Sequence, residues 1–490
     1  MTRVAVIDIG KTNAKLALVE GGTLAELAVV TRPNVPLSGP PHSRFDVDGL
    51  RDFLLAQLAA FHAARGVDAV SVTTHGACGV LLDAGGNPAA PVMDYEDAAP
   101  AALAADYDRL RPSFDSTGSP RMGQGLNLGA QLHWQLASLP GLRARVDRVV
   151  TWPQFWGALL TGETACDLCS LGCHTDLWDP FSGTFSALVE RLGLSDRMAP
   201  PRRPDEVLGQ MRAGIAAATG LPRTTPVMVG IHDSNASLFP YLSARDAPFA
   251  VVSTGTWVVC MAVGGKEVAR DGRGDIQVGT DAFGRTLPSA RFMGGRMFEA
   301  LGAAGLAPPD ASDRVAVLAR GVGLRPARDS VPDWAEPPQT PGERALALSW
   351  ALAVLTRDHL DRTGSRGPVI VEGPFARNPH FMEMLAALSP EGTEAATSAT
   401  GTAVGAAMLA LGRARAPETR PVPAPPDAAA LRSHAARSGG ARPCRRRARR
   451  RWRRSRRAAR RRRFPAGRAG RARSGSGRWR RRRGPSARRQ

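Results

Sequence analysis

The chain reads as an α/β protein of two domains, and three observations carry that expectation. Short apolar runs ending in Gly-rich or polar turns alternate with stretches of helical periodicity, the pattern of strands feeding helices. A strand–turn–strand hairpin with a small polar tip occurs near the start and again in the second half, at Asp8 to Lys15 and at Ser253 to Thr256. The chain has 490 residues, 43% of them apolar and 22% charged, which is material for two sizeable cores.

Val4-Ala5-Val6-Ile7 reads as the first strand and Leu16-Ala17-Leu18-Val19 as its partner, with Gly21-Gly22 turning into Leu24–Val30. Asp8 ends the first strand, where its carboxylate can face a hydrated Mg²⁺. Gly10 lets backbone approach a phosphate, Thr12 and Asn13 offer donors, and Lys15 offers a charge. A plain solvated turn would look the same. The tip is neither a Walker loop nor a Rossmann fingerprint, because no Gly-Lys-Ser/Thr opens a helix here. After the proline-rich Pro33 to Pro41, apolar Leu50, Phe53, Leu54, Leu58 and Phe61 predict a helix with Asp48 as its N-cap. The strand from Ala69 runs into His75-Gly76, where the imidazole either touches a substrate or is a satisfied turn residue. Residues 101–150 read as mainly helical, and the aromatics of Thr151 to Trp156 as core packing.

The central stretch is Gly230-Ile231-His232-Asp233-Ser234, after the apolar Val227-Met228-Val229. A strand that ends in Gly and then delivers His and Asp presents a carboxylate at the rim of a sheet. Close behind it, Phe249 to Val259 is a hairpin whose Ser253-Thr254-Gly255-Thr256 tip can offer N–H groups and hydroxyls to a phosphate. A base beside a phosphate-holding hairpin points to phosphoryl transfer. Further helices are expected from Gly294, over Pro341 to Thr363, from His380, and over the small residues Thr400 to Ala410. Glu372-Gly373-Pro374 ends a buried strand in a turn of the kind that lets backbone lie against a nucleotide. The Pro-rich Pro417 to Pro426 is expected to close the ordered part.

The net charge of +21 is unevenly placed. From Arg442 onward there are 25 Arg and no Lys, Asp or Glu, and removing those 25 leaves residues 1–441 at −4. Such an arm, with Trp452 and Trp479, could bind nucleic acid. The absence of Lys among crowded Arg, Ala, Gly and Pro favours instead a disordered tail or a reading-frame shift. Six cysteines stand at 78, 166, 169, 173, 260 and 444. Cys166, Cys169, Cys173 and His174 resemble half of a zinc site, but no second pair of ligands follows, so ordinary thiols in a reducing compartment are expected. No apolar run is long enough for a membrane span and no signal-peptide pattern opens the chain, so the expected compartment is the cytoplasm.

The duplicated hairpins resemble the actin/hexokinase/Hsp70-type fold, two related actin-like (ribonuclease H-like) ATPase domains closing over ATP. Within it the chain, from about residue 3 to about residue 412, is similar to the FGGY carbohydrate kinases, nearest the rhamnulokinase/fuculokinase branch. The motifs are Asp8-Ile9-Gly10-Lys11-Thr12-Asn13-Ala14-Lys15, Gly230-Ile231-His232-Asp233-Ser234, Ser253-Thr254-Gly255-Thr256-Trp257 and Phe292-Met293-Gly294-Gly295. The resemblance implies domains at 1–243 and 244–415, with an active-site cleft between them and a tail at 416–490. It implies Asp233 as general base toward a sugar hydroxyl, with His75, Gly76, His232, Ser234 and Arg291 around the sugar. ATP would be held by Gly10, Thr12, Asn13, Lys15, Thr254, Gly255, Thr256, Glu299, Gly373 and Asn378, and Mg²⁺ by Asp8 through water. His75-Gly76-Ala77-Cys78 stands where rhamnulokinases have Trp-Gly-Val-Asp, so the pocket loses a carboxylate. Arg291 stands where a smaller polar residue is usual, a change that would favour an acidic sugar, and Pro374 replaces a Gly. The implied activity is ATP-dependent phosphorylation of a small ketose; the competing reading is a sugar-sensing ATPase of the same fold. A homodimer is the partner expected besides the sugar, and nucleic acid is expected only through the tail.

Overall fold

The computed structural model describes residues 2–268, 276–324, 333–397, 401–412 and 417–437. The Arg-rich run expected to form a tail lies outside them.

The first sheet is built from β1 (Arg3–Ile9), β2 (Asn13–Glu20), β3 (Glu26–Pro33), β4 (Ala69–Thr74), β5 (Val207–Gln210), β6 (Pro226–Met228) and β7 (Ile231–His232). Its order is β5-β6-β4-β1-β2-β3, with β7 also beside β4. β1, β2 and β3 are antiparallel neighbours, and β4 runs parallel to β1. The crossover between β1's hairpins and β4 is helix α1 (Val47–Arg65). Its N-cap is Asp46, which accepts the Gly49 N–H at 3.1 Å, and not the expected Asp48, which is drawn into an ion pair with Arg51 at 2.8 Å.

The second sheet repeats the plan with β8 (Phe249–Thr254), β9 (Val258–Val263), β10 (Ile276–Thr280), β11 (Thr286–Phe292), β12 (Val369–Glu372), β13 (Thr393–Ala396) and β14 (Thr419–Pro421), in the order β10-β11-β9-β8-β12-β13-β14. β8 pairs antiparallel with β9 and parallel with β12, as β1 does with β2 and β4. Both hairpins therefore sit at corresponding places, each beside a parallel strand that ends in a Gly turn.

Period-two alternation explains how the layers meet. Ala5, Ile7 and Ile9 of β1 face one apolar cluster while Val4 and Val6 face another. Ala250 and Val252 of β8 likewise face away from Phe249 and Val251, and the latter share their cluster with Val4 and Val6. This shared layer also holds two helices, α2 (Asp233–Ala244) and α3 (Gly401–Leu411). The small residues of α3 permit a very close approach: a Cβ on Gly405 would lie 1.8 Å from the Ala236 carbonyl oxygen.

Structure continues past the proline-rich segment expected to close the ordered part. β14 adds an edge strand, and the helix Ala428–Arg437 buries Leu431 and Ala435 in the second domain's core. Period-3.6 apolar spacing at Ala428, Leu431 and Ala435 carried that helix, and the neighbouring prolines concealed it. Among the described residues, no helix is long and apolar enough to cross a membrane.

Candidate active site

Asp233, expected at the rim of a sheet, is the first residue of α2. Gly230, at φ 88°, breaks the chain after β6, and a Cβ there would meet the Val72 carbonyl oxygen at 2.7 Å. β7 then carries His232 to the helix start, so the Asp233 carboxylate stands in the first turn, where the helix dipole favours negative charge. Its Oδ1 accepts the Ser234 N–H at 2.6 Å and the Ser234 hydroxyl at 3.3 Å, and lies 3.3 Å from His232 Nε2.

β7 lies beside the end of β4, which brings His75 and Gly76 to the same place. A Cβ on Gly76 would sit 2.7 Å from His232 Nε2 and 3.3 Å from Cys173 Sγ, so only glycine leaves room for these side chains. His75 is buried among Phe45, Tyr95 and Trp152. That burial, against the smaller opposing effects of the Gly76 carbonyl and Asp233, lowers its pKa to about 4 and keeps the imidazole neutral. Its Nδ1 lies 2.8 Å from the Gly76 carbonyl, which can only accept, so Nδ1 carries the proton. Nε2 is then a bare acceptor, buried and without a protein partner.

The first hairpin tip exposes Thr12 and Asn13, and Gly10 N–H closes the turn on the Asn13 carbonyl at 2.9 Å. Asp8 lies at its base. Burial pushes the Asp8 carboxyl up, opposed by Lys15 at 3.5 Å and by the Thr402 hydroxyl, which donates to Oδ2 at 2.7 Å. The field of Asp233 also reaches Asp8, which places the two carboxylates in one electrostatic neighbourhood. Lys11 turns from the tip toward the His75 side, paired with Asp94 and, at 3.3 Å, with Glu96, its ammonium 4.9 Å from the centre of the Tyr95 ring.

At the second tip Gly255, Thr256 and Trp257 are exposed. Thr254 is not available in the same way: its hydroxyl donates to the Glu372 carbonyl at 2.5 Å and accepts the Phe375 N–H at 3.1 Å. It staples the hairpin to the Gly373 turn, where φ is 81° and a Cβ would meet the Thr254 carbonyl oxygen at 2.0 Å. Asn378, expected at the nucleotide, spends its side chain elsewhere. Its Oδ1 caps the helix Pro379–Leu388 by accepting from His380 and Phe381, both at 3.1 Å, and its Nδ2 donates to Ser349 at 3.0 Å. Glu299 is exposed on the helix Gly294–Gly302. Arg291 reaches Gln277 at 3.2 Å and Met122 Sδ at 2.7 Å and lies near the Trp257 ring, so it ties the second sheet to a loop of the first domain.

Several participants carried no readable signal in the sequence. Thr402 lies in a run of small residues that looked like packing alone, and Asp94 in a loop. Cys173 was weighed as a metal ligand, whereas its sulfur lies 3.6 Å from His232 Nε2.

Two family models match the chain almost continuously from residue 4 to residue 420. The N-terminal domain of the FGGY family of carbohydrate kinases matches residues 4–240, and the model described as "Carbohydrate kinase FGGY, C-terminal domain" matches residues 246–420. An L-fuculokinase of Salmonella typhi is 25% identical over 278 residues, 54% of this chain and 57% of the relative. That of Escherichia coli K12 is 24% identical over 270 residues, 53% and 56% of the two chains. These alignments span little more than half the length of those curated relatives. A carbohydrate kinase from Novosphingobium aromaticivorans superposes with a TM-score of 0.80 at 32% identity, covering 89% of this chain and 98% of its own. A xylulose kinase from Rhodospirillum rubrum gives 0.74 at 22%, covering 89% and 97%, a likeness of fold.

Proposed function

We propose, for a chain that belongs to the FGGY family of carbohydrate kinases, that it transfers the γ-phosphate of ATP to a hydroxyl of a small ketose, with Asp233 as the general base. The observation that carries the reading is the seat of Asp233. It stands at a helix N-terminus with Oδ1 tied to Ser234 and near His232, beside an unpartnered acceptor on His75, in the field of Asp8. Oδ2 is the atom left to take the proton of an attacking hydroxyl. Phosphoryl transfer asks a protein mostly for positioning and charge neutralisation plus one such carboxylate.

The donor set fits a polyphosphate and its Mg²⁺. Exposed hydroxyls and amides of Thr12, Asn13, Gly255 and Thr256 stand at two hairpin tips, and the half-buried Asp8 carboxylate has the Lys15 ammonium beside it. MgATP, when bound, supplies the phosphoryl group and the charge that draws the nucleophile in. The chain's part is to hold the acceptor hydroxyl against Asp233 Oδ2, to offer His75 Nε2 to a second hydroxyl, and to keep water out of the layer between the domains. A deoxyketose of the fuculose or rhamnulose kind is the finer substrate, supported by the L-fuculokinase relatives.

ADP release from MgATP against a panel of ketoses, polyols and sugar acids tests the proposal. Sugar-dependent turnover is expected for one class and a loss of about a thousandfold in Asp233→Asn, within the range of general-base effects. Tight ATP binding with no turnover on any sugar would support the sensor reading instead.

A further inference from the structure

The side chain of Cys173, which phosphoryl transfer does not use, pairs with His232. Cys173 follows the one-turn helix Leu168–Leu171, and its sulfur is 3.6 Å from His232 Nε2. The same nitrogen is 3.3 Å from Asp233 Oδ1. Cys173 is partly exposed, whereas Cys78, Cys166, Cys169 and Cys260 are buried. Gly76 packs against both members, and His75, in the field of His232 and Asp233, has a buried ring nitrogen, Nε2, with no protein partner, as a polar molecule would require.

Four groups around the pair act in one direction, while His75 stands in reach of His232 and Cys169 in reach of Cys173. His174 and His232 face the thiol; Asp233 and Asp167 face His232. Burial alone would push the thiol up and the imidazole down. The two histidines more than reverse this for Cys173, which is held well below the usual thiol range. Cys173, Asp233 and Asp167 do the same for His232, raised to about 10. The contact at 3.6 Å and these fields together bias the pair toward a thiolate facing an imidazolium, the state in which cysteine is a nucleophile.

We propose that Cys173 is a modification site for hydroperoxides, a thiolate activated by His232 at the mouth of the sugar pocket. The thiolate sulfur attacks one oxygen of hydrogen peroxide, forming an S–O bond as the O–O bond breaks. The departing hydroxide takes the proton of the His232 imidazolium and leaves as water. Cys173 is then a sulfenic acid and His232 is neutral. A small thiol reverses the change: one thiol displaces water to form a mixed disulfide, and a second releases Cys173 as the reduced thiol together with the small disulfide. An oxygen on Sγ fills the space against Gly76 and removes the ion pair that faces Asp233. The expected loss of kinase turnover on oxidation rests on the sugar-site reading above; the thiol chemistry does not.

The test uses the full wild-type chain. Alkylation by iodoacetamide is followed at each cysteine by peptide mass mapping from pH 5.5 to 8.5, with N-acetylcysteine in the same tube as reference. The reference rate should rise about tenfold per pH unit through this range, as a thiol of ordinary pKa must. The Cys173 rate should change less than about threefold over the whole range. Dilute hydrogen peroxide with dimedone should mark Cys173 ahead of Cys169, and His232→Asn, which leaves His174 in place, should move the Cys173 pH profile toward that of the reference. A wild-type Cys173 rate that climbs with the reference overturns the proposal whether or not His232→Asn folds. A profile that stays flat in a folded His232→Asn overturns the assignment to His232. Cys173 marked by dimedone while sugar-dependent turnover persists would leave the thiol chemistry standing and count against the sugar-site reading.

Discussion

Thr402 donates its hydroxyl to Asp8 Oδ2 at 2.7 Å, across 394 positions of sequence. The bond joins the first strand of the chain to a helix between the last two strands of the second sheet, in the layer the two domains share. Asp8 sits at the base of the first hairpin tip, where burial works against its charge, and Thr402 is one of the two groups that hold the carboxylate charged and aimed. A hydrogen bond to a charged group is worth about 2 kcal/mol. Thr402→Val is therefore expected to lower kcat/KM for MgATP at least tenfold with the sugar KM little changed, and Thr402→Ser to restore it. Steady-state kinetics with each substrate varied in turn checks this; a rise in sugar KM alone would place the effect elsewhere.

Three residues further along the same helix, the contact is pure packing. A Cβ on Gly405 would come within 1.8 Å of the Ala236 carbonyl oxygen, a backbone atom that cannot rotate aside. Gly405→Ala must push α3 off α2, and overpacking of this sort costs about 3 kcal/mol. The expected result is a lower Tm by thermal melting, together with lost turnover, because α2 begins at Asp233 and α3 carries Thr402. An unchanged Tm would mean that the helices have room the geometry denies.

Which parts were readable follows from what each residue is doing. The strands and hairpins were legible because a strand covered on both faces must be a continuous apolar run, as in Val4 to Ile7 and Val369 to Val371. His232, Asp233 and Gly76 were legible because glycine beside polar residues at a strand end has few other uses. Asp233 was expected at the rim of a sheet, past a strand ending in Gly, but the helix it opens was not read, since a helix that starts with Asp-Ser-Asn and contains Pro240 hides its own periodicity. Thr402, Cys173 and Asp94 were not assigned to the site, because each acts through a partner remote in sequence. At Asn378 and Thr254 the structure shows side chains engaged as a helix cap and a staple, roles that spacing alone does not separate from those of a ligand-binding turn.

His75 makes a further expectation concrete. Its neutral ring gives Nδ1–H to Gly76 and leaves Nε2 as an acceptor, which on the proposed function would meet a sugar hydroxyl. His75→Phe keeps the aromatic packing against Phe45 and Trp152 while removing that acceptor. An unmade bond in a buried site costs about 2 kcal/mol, so the sugar KM should rise roughly thirtyfold with the ATP KM unchanged. Equal KM values in variant and wild type would show that the nitrogen faces no substrate.

Glu372 supplies a pH signature for the fold itself. It ends β12 beside Ser253 of β8, is 8% exposed, and burial raises its carboxyl to about 7 against weaker opposing bonds from Ser253 and Ser237. The sign follows from proton counting. Between 4.5, where the unfolded chain releases this proton, and about 7, the folded protein holds one proton more than the unfolded, so stability falls as pH rises through that window. Fully developed, the loss amounts to about 3 kcal/mol at 1.36 kcal/mol per unit. Glu372→Gln keeps the shape and removes the charge, so its denaturant-melting stability should be nearly flat over the window while the wild type declines. The two proteins should be close in stability at pH 4.5 and the variant the more stable at pH 7.5. A wild type whose stability does not decline, or a variant that declines as steeply, would show that Glu372 finds a cation or water that the packing of Ser237, Ser253 and Tyr241 does not provide.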